Sequence, residues 1–315
     1  MSKYILTFLL VGTTIFTACK KEQAGTTTDN TLPAAEKVQA ASHQDQVLTP
    51  AGWVHKSKVH HVQTGEYLSG EGNRLRQYDR QGKMVADYGA IVQQNNGVPF
   101  INNNAKTGKD RFPLGSGWIT YTYWTNTSAT PISYFSTSWV VPPAPAVNSG
   151  QTIFLFNGLQ NSGNILQPVL QWGPSAAGGG NYWAIANWYV GDNSVFSNLI
   201  RVAPGTNLQG IMSLVSGSGS YYSYTSAFTG YPSITLTVNS IPKLYWAAES
   251  MEAYGVVTCS NYPNTAKTRL SGIELKVGTA QAPLSWTVAN DITDCGQHST
   301  VVTPGTPNGI VDIYY

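Results

Sequence analysis

Few side chains in this chain can do nucleophilic or acid–base chemistry, and their positions narrow the choice. Beyond residue 116 there is one histidine, His298, so a Ser–His–Asp site would have to use it, with Asp294 the nearest acid in sequence. No Gly-x-Ser-x-Gly elbow is present, and Gly217-Ser218-Gly219-Ser220 reads as a flexible turn. His55, His60 and His61 form a strip without a carboxylate or cysteine at ligand spacing, as exposed histidines on an edge strand would. Gly178-Gly179-Gly180 is not a phosphate loop, because no Lys-Ser/Thr follows and no helix begins there. What remains is a glutamine strand and a carboxylate strand. In Ile165–Trp172, alternation puts Gln167, Val169 and Gln171 on one face and Leu166, Leu170 and Trp172 on the other. In Tyr245–Glu252, two acids stand among apolar neighbours, where a carboxyl is expected to be partly buried. On a continuous strand Glu249 and Glu252 face opposite sides. A carboxylate can take a proton from water as it attacks a carbonyl and return it to the leaving group. A neutral amide can donate hydrogen bonds to the developing oxyanion without titrating.

Five short motifs then line up in order. Ser138-Trp139-Val140-Val141-Pro142 resembles the Trp-x-Val-Pro opening of the glutamic peptidases of the scytalidoglutamic or eqolisin type. Phe156-Asn157-Gly158 falls where that family has an Asp-Gly turn, and Ile165-Leu166-Gln167 matches its catalytic-glutamine strand. Asn187-Trp188-Tyr189 matches its Glu-Trp-Tyr strand, and Ala248-Glu249 the Ala-Glu of its catalytic-glutamate strand. The plant neprosin-type peptidases, a related group, pair two glutamates instead. The resemblance covers roughly residues 135–255. It implies a lectin-like jelly-roll sandwich with the active pair on the concave face of one sheet. It further implies Glu249 as general base and acid, Gln167 as positioner of water and oxyanion stabiliser, and Glu252 as the alternative carboxylate. Gln171, Asn157, Asn187, Trp183 and Trp188 would contact substrate. Asn157 and Asn187 depart from the family's usual aspartate and glutamate. The implied activity is acid endopeptidase on protein or peptide substrates, without metal or cofactor, with a raised-pKa glutamate shuttling protons. A second reading of the same residues stays open. Strand glutamines in a sandwich groove also bind glycans, Trp172, Trp183, Trp188 and Tyr189 suit stacking on sugars or a core, and Glu249 can pair with Lys243 or Arg201.

The elements that must position these residues read as strands. From Trp118 to Tyr315 short apolar runs are split by Gly, Pro, Asn and Ser, among them Trp118–Trp124, Ser133–Val141, Thr152–Asn157, Ile165–Trp172, Tyr182–Val190, Tyr221–Phe228 and Leu244–Ala248. This spacing predicts an all-β fold, an antiparallel sandwich or barrel. Ala247–Tyr254 is the one stretch where a helix remains open. Residues 52–116 predict a small β-rich unit, with Arg80-Gln81-Gly82-Lys83 at a hairpin tip and Met84–Tyr88 returning, then a loop. The unit is either a removable prosegment, as such peptidases commonly carry, or a permanent addition to the sandwich of residues 117–315.

The N-terminus sets the compartment. A basic start, the apolar run Tyr4–Phe16 and Thr17-Ala18-Cys19 are the parts of an export signal over residues 1–18. The cysteine after small residues resembles the lipobox of bacterial lipoproteins, which implies a lipid on Cys19 and membrane attachment. Lys20-Lys21-Glu22 resembles the export signal of Bacteroidetes surface lipoproteins. The expected location is the cell envelope, at the outer membrane or cell surface. Residues 19–51, rich in Thr, Ala and Gln, predict a flexible tether. With Cys19 set aside, Cys259 and Cys295 remain as an even pair in a disulfide-permissive compartment, and a bridge between them is expected. Beyond residue 116 the only Lys and Arg are Arg201, Lys243, Lys267, Arg269 and Lys276, against seven acids, which gives no basic footprint for nucleic acid. A monomer is expected.

Overall fold

The computed structural model describes residues 44–92 and 114–315. Cys19, the export signal and most of the expected tether lie outside the described residues. The fold is all-β, two sheets packed face to face over one large apolar core. The first sheet has the order Thr287–Asn290, Gly117–Thr125, Trp246–Tyr254, Thr152–Gln160, Ile165–Ser175, Gly178–Val190, Ser194–Phe196 and Val59–His61. The second runs His298–Thr303, Gly309–Tyr314, Lys267–Val277, Ile132–Val140, Asn207–Ser218, Tyr221–Phe228, Leu236–Pro242, Tyr67–Ser69, Arg74–Tyr78 and Met84–Ala90. The pairings are antiparallel except at two places, Ser194–Phe196 with Val59–His61 and Leu236–Pro242 with Tyr67–Ser69.

Trp246–Tyr254 is a strand, not a helix, although Ala, Glu and Met favour helices. Each of its residues is buried, and it pairs on both sides, with Gly117–Thr125 and Thr152–Gln160. Burial on both faces overrides local propensity, as it does in any central strand. The same explanation covers Thr152–Gln160, buried at every position.

The N-terminal unit joins both sheets. Val59–His61 extends the first at its edge, and Tyr67–Ser69 begins the extension of the second. The turn expected at Arg80–Lys83 is closed by Asp79, whose backbone N–H donates to the Lys83 carbonyl and whose side chain receives the Gln81 and Lys83 N–H groups. Gln46–Thr49, at the end of the expected tether, is a strand that pairs with Gly52–His55 in a hairpin. Cys259 and Cys295 form the disulfide, with Cα atoms 5.5 Å apart, and tie the loop after Trp246–Tyr254 to the turn before His298–Thr303.

Candidate active site

Strand alternation sorts the expected site residues onto two faces of the first sheet. On its outer face, Gln171 and Glu252 both stand directly opposite Phe154, one on each side of the strand that carries it. They therefore lie in one row across three strands, roughly 10 Å apart between Cα atoms. Gln167 shares this face, cross-strand from Trp188, but four residues further along its strand. Trp118, Tyr121, Phe154, Phe156, Val169 and Trp188 supply the apolar floor between and around them.

This outer face is covered. Leu48 and Ala51 are buried in the same cluster as the floor residues, and Trp53 and Val59 pack against it. The Leu48 carbonyl accepts from the Ala176 backbone N–H at 2.8 Å. The Gln46–His55 hairpin is thus a roof over the face that carries Gln167, Gln171 and Glu252, and these three side chains are 0–1 % exposed.

Glu249 takes the opposite side. It stands across from Asn157 and Thr122 and points between the sheets, where Thr137 Oγ1 donates to its Oε1. The structure therefore does not bring Gln167 and Glu249 together: the backbone of the sheet lies between them. Asn157 and Asn187 are also interior. Asn157 Nδ2 donates to the Gly210 carbonyl at 3.3 Å, and Asn187 Nδ2 to the Ile234 carbonyl at 2.7 Å while its Oδ1 accepts from Ser226. Each of these three polar residues ties one sheet to the other. An amide at 157 and 187 does so without adding two more buried charges, which are costly unless paired. Trp183 packs edge-on against Trp172 in the inter-sheet core, so neither ring is available for stacking on a ligand. The alternative ion pairs of Glu249 do not form: Lys243 donates to the Ser128 carbonyl, and Arg201 lies over the Tyr182 ring. Of the five expected substrate contacts, Gln171 and Trp188 are on the covered outer face, and Asn157, Asn187 and Trp183 are not.

The electrostatics of the two glutamates follow from burial. No salt bridge among the described residues includes either. Desolvation raises both carboxyl pKa values well above the ordinary range. The Thr137 hydrogen bond opposes this at Glu249. At Glu252 the opposition comes from Trp118 and Tyr254, although neither carboxylate oxygen has a hydrogen bond of standard geometry among the described residues. Burial outweighs all of these. Asp312 is the contrast: Arg269 and Lys267 bind it, Arg269 most strongly, and hold its carboxyl below the ordinary range. A buried acid without a cation keeps its proton, and one with two cations loses it.

Gln171 is committed to the neighbouring turn. Its Nε2 donates to the Gly173 and Gly178 carbonyls at 2.7 and 2.8 Å, and Ser175 Oγ donates to its Oε1 at 2.8 Å. Gly179 is needed for this approach, since a Cβ there would lie 2.4 Å from Gln171 Nε2 and φ is +108°.

No family model matches the chain, and no curated protein matches it. Among solved structures it is similar to a scytalidoglutamic peptidase bound to a peptide-based transition-state analogue, with 14% identity, 64% of this chain and 99% of that one covered, and a TM-score of 0.45. A second complex of scytalidoglutamic peptidase with a transition-state analogue inhibitor has 13% identity over the same shares and a TM-score of 0.43. SCP-B, an eqolisin-family peptidase in complex with the tripeptide Ala-Ile-His, has 13% identity, the same coverage and a TM-score of 0.38.

Proposed function

We propose that this protein is an acid endopeptidase whose general base and acid is Glu252 and whose amide partner is Gln171. The observation that carries the reading is the row Gln171–Phe154–Glu252 on one buried face, a carboxyl whose pKa burial raises, one strand across from a neutral amide. Their spacing across Phe154 is the span that a peptide bond and a water molecule would bridge once the covering hairpin is lifted. Glu252 as carboxylate accepts the proton of the attacking water, then returns it to the departing amine. A raised pKa suits this shuttle in acid, where both protonation states are populated. Gln171 supplies an N–H to the tetrahedral oxyanion once one of its two turn contacts is given up. The activity test is digestion of denatured protein from pH 2 to 8, with an optimum expected in acid.

The roof makes the described state a latent one. The Leu48 carbonyl holds Ala176 within the turn whose Gly178 carbonyl occupies Gln171, so lifting the roof frees the amide as well as the floor. The N-terminal unit is attached by an ion pair and by a titratable histidine. Lys58 pairs with Asp192 at 2.9 Å, and His60, half-buried and bonded to Asn193, has its pKa lowered mainly by desolvation. Below its ordinary value near 6.5 the released histidine takes up a proton more readily than the docked one, so His60 favours release as pH falls, against the Glu252 carboxyl, whose burial favours the covered state. Incubation at pH 3–4 is expected to create a new N-terminus near residues 100–117, read by sequencing, together with a rise in activity. An intact chain with full activity would instead make residues 52–92 a permanent part of the enzyme.

The protein is further proposed to be exported and held at the bacterial envelope by lipid on Cys19, acting there as a monomer on protein or peptide substrates. Cys19→Ser is expected to shift it from the membrane to the soluble fraction or to trap its precursor. Unchanged partitioning and processing would remove the anchor from this reading.

A further inference from the structure

The disulfide between Cys259 and Cys295 is open to solvent on one side. Cys259 is exposed, while Cys295 is half-buried and packs against the main core. A groove of about 440 Å³ reaches Cys259 and is lined further by Ser260, Tyr262, Asn264, Thr265 and Tyr315, whereas Cys295 is not among its walls. That volume falls within the roughly 300–1,000 Å³ of small-molecule sites. A thiol seated in the groove therefore meets Cys259 Sγ and not its partner. Both loops joined by the bond are also held without it. Asn261 fastens the first: its Oδ1 accepts from the Val257 and Thr258 N–H groups at 2.9 and 3.0 Å, and its Nδ2 donates to the Val147 carbonyl at 2.9 Å. Gln151 Nε2 donates to the Asn261 carbonyl at 3.0 Å. Gln297, fully buried, fastens the second: its Oε1 accepts from the Cys295 N–H at 2.9 Å, and its Nε2 donates to Asp294 Oδ1 at 3.1 Å. Opening the S–S bond thus leaves two anchored loops rather than two free ends.

We infer that Cys259 is a thiol-modification site, which takes a small peptide thiol into the groove as a mixed disulfide. The incoming thiolate attacks Cys259 Sγ and a new S–S bond forms there. The electron pair of the old bond leaves on the Cys295 sulfur, which takes a proton from water. A second thiol can then free Cys259 and carry off the small-molecule disulfide, so two thiols are oxidised as one protein bond is reduced. Exposed disulfides are the labile ones. The walls choose among thiols. None of the described residues that line the groove is charged, so a thiol borne on phosphates finds no cation there. Peptide amides do find partners, in the hydroxyls of Ser260 and Thr265 and the amide of Asn264. The site stands whether or not the chain cleaves peptides.

The test uses the folded full-length chain, incubated at about pH 8, where thiolates form, with excess reduced glutathione. The reaction is stopped with acid, free thiols are alkylated, and peptides are mapped by mass, which keeps Cys19 apart. Near-ultraviolet circular dichroism is followed alongside. The expected result is loss of the Cys259–Cys295 link, with glutathione on Cys259 at least about tenfold above Cys295 and the native signal kept. Coenzyme A is the phosphate-bearing control, expected to be about tenfold slower, each rate being taken relative to the same thiol on the urea-unfolded chain. Cys295→Ser cannot re-close the bond, so oxidised glutathione should load its Cys259 to completion. A wild-type bond that opens only in urea, label mainly on Cys295, loss of the native signal on labelling, or a folded Cys295→Ser variant that stays unlabelled would each overturn the site. Equal relative rates for the two thiols would overturn the peptide class.

Discussion

Glu252→Gln is expected to lower acid peptide hydrolysis by about a hundredfold or more, while Glu249→Gln leaves it within a few fold. The two glutamates are three residues apart on one strand and equally buried, and burial raises both carboxyl pKa values. What separates them is the side of the sheet. Glu252 shares its row with Gln171, and a substrate over Phe154 reaches both. Glu249 reaches only Thr137 and its interior neighbours, where no peptide can lie without parting the sheets. Gln at 252 keeps the shape and polarity of the site but cannot accept a proton from water, so the loss falls on kcat rather than on folding. Gln171→Ala should also cost about a hundredfold, with part of the effect passing through the Gly173–Gly178 turn it secures. Its recovery by Gln171→Asn would be poor, because the shorter amide cannot span from strand to oxyanion. Digestion of one denatured protein by the variants, followed across pH 2–8, decides the matter. Loss at Glu249 with activity retained at Glu252 would place the chemistry inside the sandwich and refute the proposed row.

The sequence made the strands legible because turn residues bracket them. Tyr221–Phe228 is read with its observed bounds, and most of the other expected strands differ by only a few residues at their ends. Alternation also placed Gln167 and Gln171 on one face and set Glu249 and Glu252 on opposite faces. It left open which carboxyl shared the glutamines' side, because facing depends on register between strands about eighty residues apart. Glu249↔Asn157 and Glu252↔Phe154 are contacts that no local pattern encodes. Motif matching favoured Ala248-Glu249 on a two-residue likeness, and the register sets that glutamate on the inter-sheet face. The roof was illegible for a similar reason. Gln46–His55 has no strong period, and its strands exist because Leu48 and Ala51 find an aromatic floor contributed by distant strands. The edge strands Ser194–Phe196 and Val59–His61 are three residues each, too short for periodicity to mark.

The interior glutamate should make the sandwich more stable in acid than at neutrality. Its folded-state pKa is raised, so below the unfolded value near 4.5 both states hold the proton and stability is complete. As pH rises past that value the unfolded chain ionises while the folded one keeps its proton. Stability then falls by about 1.4 kcal/mol per pH unit per such group until the folded pKa is reached. Glu252 adds the same slope while the roof is on. His60 works in the other direction, and Asp312 loses its contribution only as pH drops through its own lowered range. Glu249→Gln isolates one term, since the background is common to both proteins. Geometry favours the variant. Asn157 stands directly across from Glu249, and Asn157 Oδ1 and Glu249 Oε2 are both buried without a partner among the described residues. A proton on Oε2 gives that pair its missing donor, and the amide of glutamine gives it permanently. Thr137 Oγ1 still has an oxygen to bond. Urea unfolding with the disulfide intact, followed upward from pH 4.5, should show the variant's stability falling less steeply than wild type, by up to about 1.4 kcal/mol per unit until the folded carboxyl ionises, with unchanged m-value. Parallel curves would mean that Glu249 is ionised in the folded protein, and that the sheet interior stabilises a charge which nothing around it neutralises.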